Sequence, residues 1–249
     1  MIDPGLPADE PARLAELRAL AILDTPREDA FDNLMQLAAS IFGVPIALVS
    51  LVDEARQWFK SAHGLCVAQT PRDISFCTHV VFSSAALVVE DAAADARFAD
   101  NPLVTGAPHV RFYAGEPLRS DKGFVLGTLC LLDTAPRRFA PAELVRLQLL
   151  ARQAEQLIRL HRKRQRLADA ARHSARIAAR YQAITEGAAA GILRIDGRGR
   201  ILEVNRFACA LFGYEEAELR GRNVRVLMPE PFRSAHDGYL EADQRTGLA

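Results

Sequence analysis

Pro45-Ile46-Ala47-Leu48-Val49-Ser50-Leu51-Val52-Asp53, followed after Glu54-Ala55 by Arg56-Gln57-Trp58-Phe59-Lys60-Ser61-Ala62-His63-Gly64, decides the fold class. Both runs have strand rather than helix character and the break between them is short, so they read as an antiparallel pair. Further strands are expected at Leu87 to Glu90, Arg111 to Leu118 and Val125 to Leu132. Asp121-Lys122-Gly123 supplies the hairpin turn between the last two, because glycine accepts the positive φ such turns need. Upstream, apolar residues recur at helical spacing: Leu14, Leu17 and Ala21, then Phe31, Leu34, Leu37, Ala38 and Ile41, with Asp24-Thr25-Pro26 as a helix start between them. Helices flanking an antiparallel sheet make an α+β domain.

The whole chain has 249 residues, 49% hydrophobic and 25% charged, the composition of an ordinary globular protein rather than a disordered or fibrous one. Its 31 basic and 31 acidic side chains cancel, but unevenly. Residues 1–150 carry 13 basic and 19 acidic groups, residues 151–183 carry 9 and 2, and residues 184–249 carry 9 and 10. An acidic domain, a basic connector and a near-neutral second unit are therefore expected. Four cysteines, at positions 66, 77, 130 and 209 with no CxxC pair, make neither a disulfide framework nor a four-thiolate metal site. The start, MIDPGLPADEPARL, is acidic where a secretory signal is basic and apolar, and the apolar runs are too short to span a bilayer. A cytoplasmic location is the expectation.

Several strings then carry a resemblance. Ile22-Leu23-Asp24-Thr25-Pro26-Arg27, Pro71-Arg72-Asp73-Ile74-Ser75-Phe76-Cys77, Asp95-Ala96-Arg97-Phe98-Ala99-Asp100-Asn101-Pro102, Arg111-Phe112-Tyr113-Ala114-Gly115, Gly127-Thr128-Leu129-Cys130 and Leu132-Asp133 resemble, in order, a bacterial branch of GAF domains. The resemblance implies a sensory or regulatory domain over about residues 10–150, with a six-stranded antiparallel sheet and one small-molecule pocket. The ligand is not implied. The Asn-Lys…Phe-Asp…Glu pattern of cyclic-nucleotide GAF domains is missing, and Cys77-Thr78-His79 is not the contiguous Cys-His of bilin attachment.

Within that domain Trp58, Cys77, His79, Arg111 and Tyr113 are the candidate pocket residues, Arg111 and Tyr113 by strand alternation. Cys77 and His79, with Cys66, have the chemistry to ligate a soft metal or form a redox pair. The plainer alternative is a packed loop with Cys77 as a small buried hydrophobe, and a sheet Trp or Tyr serving the core.

Residues 140–183 read as one long helix, entered at Pro141 and free of Gly and Pro thereafter. Positions 147, 150, 154, 157, 161, 164, 168, 171, 175 and 178 follow heptad spacing, interrupted by His161 and Arg164 and finished in alanines. Parallel pairing in a homodimer is expected, with a lone solvated helix as the alternative. The run His161-Arg162-Lys163-Arg164-Gln165-Arg166 has no interleaved aromatics or adjoining DNA-reading motif, so no nucleic-acid partner is expected.

Gly191 to Asp196, a Gly197-Arg198-Gly199 turn and Arg200 to Asn205 form a second hairpin, with short helices at Phe207 to Phe212 and Glu215 to Leu219. Ile201-Leu202-Glu203-Val204-Asn205, Leu211-Phe212-Gly213-Tyr214, Glu218-Leu219-Arg220-Gly221 and His236-Asp237-Gly238-Tyr239-Leu240 are similar to the front half of a PAS domain, so residues 184–249 are expected to hold that half. Met228 to Asp237 resembles the helix bearing the proximal haem ligand in FixL-type PAS sensors, and His236 falls on that ligand position. Haem b through His236 is therefore the one cofactor the resemblance implies. Ala242, six residues on, stands where those sensors have an Arg that helps hold the haem.

The sequence carries no phosphate-binding loop, nucleophile elbow or metal-binding His-Glu-x-x-His helix. The expected function is the sensory input region of a bacterial signalling protein, of the histidine kinase or diguanylate cyclase kind. A haem or redox sensor and a non-sensing dimerisation scaffold are the alternatives.

Overall fold

The computed structural model describes residue 2 and residues 4–235. The chain divides into two units between Ala168 and Asp169. Along the first run α1 (Glu10–Ala19), α2 (Asp29–Phe42), β1 (Ile46–Val52), β2 (Arg56–His63), β3 (Gln69–Pro71), α3 (Phe76–Ser83), β4 (Leu87–Val89), α4 (Pro102–Thr105), β5 (Phe112–Arg119), β6 (Val125–Asp133) and the start of α5 (Pro141–Gly187).

The six strands form one sheet in the order β3-β2-β1-β6-β5-β4, with every neighbouring pair antiparallel. β1 and β6 sit at the centre and are buried at every residue, which requires cover on both faces. One face packs Val49, Leu51, Trp58, Phe112, Leu129 and Leu131 against α2 and the first turns of α5. The other packs Leu48, Tyr113, Cys130 and Leu132 against α3 and the segment through Phe98. Alternation along each strand therefore feeds two separate cores.

Helix α2 buries Phe31, Leu34, Met35, Ala38, Ala39 and Phe42, a stripe of threes and fours. Leu37 and Ile41, expected inside, are 51% and 45% exposed because they lie on the flank of that stripe. Gly43, at φ 59°, ends the helix in the left-handed conformation and turns the chain into β1. Two elements differ from the expectation. The Cys77-Thr78-His79 stretch, expected as a packed loop, lies in α3, whose start is capped by the Ser75 side chain accepting from the Cys77 amide. β3 is a short edge strand whose Gln-Thr-Pro sequence has no strand period.

In α5 the buried residues are Leu147, Ala151, Ala154, Ile158 and His161. Three of them, Leu147, Ala154 and His161, belong to the heptad frame expected to face a second chain. They are spent on the sheet of their own unit, where Leu147, Ala151, Ala154 and Ile158 complete the core over α2. From Asp169 to Ile184 every residue of α5 is exposed.

In the second unit β7 (Leu193–Ile195) and β8 (Ile201–Val204) form an antiparallel hairpin, followed by α6 (Arg206–Phe212), α7 (Glu216–Leu219) and a 3₁₀ turn at Val224–Leu227. Its small core is Ile201, Val204, Ala208 and Leu219. Asn205 caps α6 by accepting from Ala208, and its amide donates to the carbonyls of Thr185 and Ala190. His236 lies outside the described residues.

Candidate functional site

Cys77 is the second residue of α3, and its sulfur is the focus of a polar cluster enclosed between that helix and the sheet. The Thr128 hydroxyl, from β6, donates to it at 2.9 Å, and the Tyr113 phenol, from β5, donates at 3.3 Å. The Cys130 sulfur, also on β6, is 3.8 Å away and shares a hydrogen bond with it. Cys77, Tyr113, Thr128, Cys130 and Ser50 are all between 0% and 1% exposed.

Burial by itself pushes the Cys77 thiol up, since a thiolate loses its hydration. The donors from Cys130, Thr128, Tyr113 and Ser50 outweigh that and bring it down to about 6. The first turn of α3 adds its amide dipoles in the same sense. Cys130 is pushed the other way, first by burial and then by its neighbour's charge, and so is Tyr113. Cys77 is thus the thiol that ionises and Cys130 the one that stays protonated.

Aromatic rings fill the rest of this space. Phe76 stacks on Phe98 at 4.2 Å and on Tyr113 at 5.1 Å between ring centroids, and His79 meets Phe98 edge-on at 4.7 Å. Gly115 lies under the Tyr113 ring, which a side chain there would displace.

Of the expected pocket residues, Cys77 and Tyr113 are in direct contact, and His79 joins them through Phe98. Trp58 packs in the core on the opposite sheet face. Arg111, just before β5, is held in a two-point ion pair with Asp91, at 2.7 Å for both contacts. Cys66 is exposed in the connection between β2 and β3. Ser50, Thr128, Cys130 and Phe98 also join the cluster, and no local motif in the sequence marks them for it. In strands buried at every residue, such as β1 and β6, nothing in the pattern says which polar residue faces which layer.

A second buried polar centre lies on the α2 side of the sheet. Lys60, whose side chain is 0% exposed, contacts Glu28 at 2.7 Å, donates to Thr25 Oγ1 and the Pro26 carbonyl at 2.8 Å each, and sits 5.4 Å from the centroid of the Phe31 ring. Glu28 also faces His161 Nδ1 at 2.9 Å, while His161 Nε2 faces the Ala21 carbonyl at 3.3 Å. Burial pushes the Glu28 carboxyl up, but Lys60 and His161 hold it below its ordinary value. Among the described residues no group of three His, Cys, Asp or Glu side chains is placed to hold a metal ion.

The GAF domain family matches residues 26–158 and the PAS fold family matches residues 179–247. A cyclic di-GMP phosphodiesterase of Pseudomonas aeruginosa is 43% identical over 137 residues, 55% of this chain and 23% of that protein. The sensor protein FixL of Bradyrhizobium diazoefficiens is 48% identical over 52 residues, 21% of this chain and 10% of that one. The chain thus spans less than a quarter of the length of these curated relatives. Among solved structures, the GAF domain of a phosphoenolpyruvate-protein phosphotransferase from Coxiella burnetii is 15% identical with a TM-score of 0.46, covering 61% of this chain and 95% of that one. No helix among the described residues is long and apolar enough to cross a membrane. Both matched families are regulatory rather than catalytic, and the chain belongs to the GAF family, as a bacterial signalling sensory region in which a GAF domain precedes a PAS domain.

Proposed function

We propose that this chain is a cytoplasmic input region that couples the state of its GAF core to a downstream output through α5. The observation that carries the reading is the continuity of α5. Its first turns form part of the GAF core at Leu147, Ala151, Ala154 and Ile158, and the same helix continues to Gly187, shortly before β7. A change in packing at the sheet is therefore a change in the seat of that helix. By analogy with its relatives, the output is a histidine kinase or an enzyme of cyclic dinucleotide turnover.

Such a relay works on a homodimer, and α5 supplies the seam. Leu160, Leu167, Ile177, Tyr181 and Ile184 are 42%, 64%, 56%, 48% and 61% exposed. Their spacings of 7, 10, 4 and 3 fall on one heptad frame, offset from the frame used inside the GAF core. Sedimentation of the protein at micromolar concentration is expected to give a dimer, and Ile177→Asp with Ile184→Asp a monomer. A wild-type monomer, or a dimer indifferent to both changes, removes this reading.

The ligand of the GAF unit is a small molecule accommodated by moving the rings around Cys77, His79 and Tyr113, with Arg111 and Trp58 outside that space. Haem at His236 is a second reading, favoured by the likeness of the PAS segment to FixL. A Soret band in protein supplied with haem, abolished by His236→Ala, is its test, and a colourless protein removes it.

A further inference from the structure

We infer that Cys77 and Cys130 are an oxidisable dithiol, a modification site in which hydrogen peroxide converts the two buried thiols into a disulfide between α3 and β6. Their sulfurs are in contact at 3.8 Å, with no side chain between them. Bond formation therefore needs an approach of less than about 2 Å to reach the S–S length of a disulfide. The pair is also chemically unequal. Thr128 and Tyr113 aim their hydroxyl hydrogens at the Cys77 sulfur, which makes it the nucleophile, and Cys130 keeps the proton that the second step must release.

The chemistry balances without a further reactant. The Cys77 thiolate attacks one peroxide oxygen, a sulfur–oxygen bond forms, the oxygen–oxygen bond breaks and hydroxide leaves. The Cys130 sulfur then attacks Cys77, a sulfur–sulfur bond forms, the sulfur–oxygen bond breaks, and the leaving hydroxide takes up the Cys130 proton as water. Two electrons pass from the sulfurs to one peroxide. Burial selects the oxidant. With Cys77 1% and Cys130 0% exposed, a molecule the size of water can reach them through local opening, while a disulfide reagent such as glutathione cannot bring its sulfur into line.

Exposed Cys66 is a built-in control for reagent access. The reduced wild-type protein is treated with hydrogen peroxide, quenched, unfolded, alkylated and mapped by mass spectrometry. The expected result is a Cys77–Cys130 linked peptide pair lighter by two hydrogens, restored by dithiothreitol. Its formation is expected to be about tenfold slower at pH 5 than at pH 7, following the thiolate fraction of a thiol at about 6. In Cys130→Ser a sulfenic acid on Cys77 is trapped by dimedone added with the denaturant, once unfolding has exposed it. The proposal is overturned if Cys66 oxidises while Cys77 and Cys130 are both alkylated after unfolding, or if Cys77 over-oxidises in the wild type without linking to Cys130. Neither result depends on α5 acting as a relay, so a monomeric or output-silent protein leaves the test intact.

Discussion

Gly115 sits directly beneath the phenol of Tyr113, two residues earlier on the same strand face, and a Cβ at that glycine would lie 2.1 Å from the phenolic oxygen. The ring can fold along β5 and reach the Cys77 sulfur only because position 115 has no side chain. Gly115→Ala is therefore expected to destabilise the GAF unit by about 1–3 kcal/mol and to break the Tyr113 to Cys77 bond. Denaturant unfolding measures the first effect, and an upward move of the Cys77 titration, followed by thiolate absorbance, measures the second.

The same thiol makes stability depend on alkaline pH. Cys77 ionises near 6 in the folded protein and near its ordinary 9.0 when unfolded, so between those values the unfolded chain holds the extra proton. Stability is expected to fall above about pH 9, where the unfolded chain gives up the Cys130 and Tyr113 protons that burial makes the fold keep, and to rise from pH 6 to pH 9 through Cys77. Cys77→Ser should flatten that slope, read from urea midpoints across the range.

Glu10 gives an opposite window, on the acid side. Burial raises its carboxyl, but bonds to Arg13 at 2.6 Å and Arg72 at 2.6 Å hold it below 4.5. Its contribution is fully present above 4.5 and is lost as pH falls through the depressed value. Glu10→Gln should lower stability at neutral pH and make acid unfolding less steep.

Lys60→Met keeps the shape of the side chain while removing its charge. Thr25 Oγ1 and the Pro26 carbonyl then lose the ammonium donor and Glu28 keeps His161 but loses its closest cation, at a cost of about 3 kcal/mol. Glu28→Gln in the same chain should recover part of the loss, a coupling that a double-mutant cycle reads directly.

Along α5 the two stretches should respond differently. Ile158, 3% exposed in the GAF core, is expected to cost about 2–4 kcal/mol on change to Ala. His173, exposed, should change stability by less than about 0.5 kcal/mol. Thermal unfolding of the two variants makes the comparison.

Strands β1, β2, β5 and β6 were legible because period and turn chemistry agree there: Gly123 does adopt φ 87° between β5 and β6, and Glu54-Ala55 joins β1 to β2. Two short elements, α3 and β3, were not, whereas β4, α6 and α7 fall within one residue of their expected bounds. α3 rests on one capping serine and on burial against Phe98, and β3 on pairing with Trp58, which are tertiary facts invisible to a local pattern. In α5, two helical frames interleave, one apolar toward its own sheet and one toward solvent. A heptad count cannot say which frame the fold has claimed.

The motif strings make sense only as a group. Cys77, Tyr113, Thr128 and Cys130 come from three separate strings and meet at one sulfur, while Thr25 and Pro26 of another string hold Lys60. Two residues of the cluster, Thr128 and Cys130, lie in a motif string whose local pattern gives neither of them a role. A strand buried on both faces gives no sign of which side chains look toward a helix.

Arg137 couples ends of the GAF unit that are far apart in sequence. From the connection between β6 and α5 it ion-pairs with Asp133 and donates to the carbonyls of Phe42 and Gly43, where α2 stops, and Phe139 packs on Phe42 at 5.7 Å. The sheet is therefore not a separable module. A recombination point or expression boundary placed at the end of β6 would strip α2 of its terminal partner and remove Leu147 through Ile158 from the core. The smallest exchangeable piece of this protein has its border inside a helix, beyond His161, and a chimera joined there inherits the helical phase along with the sensor.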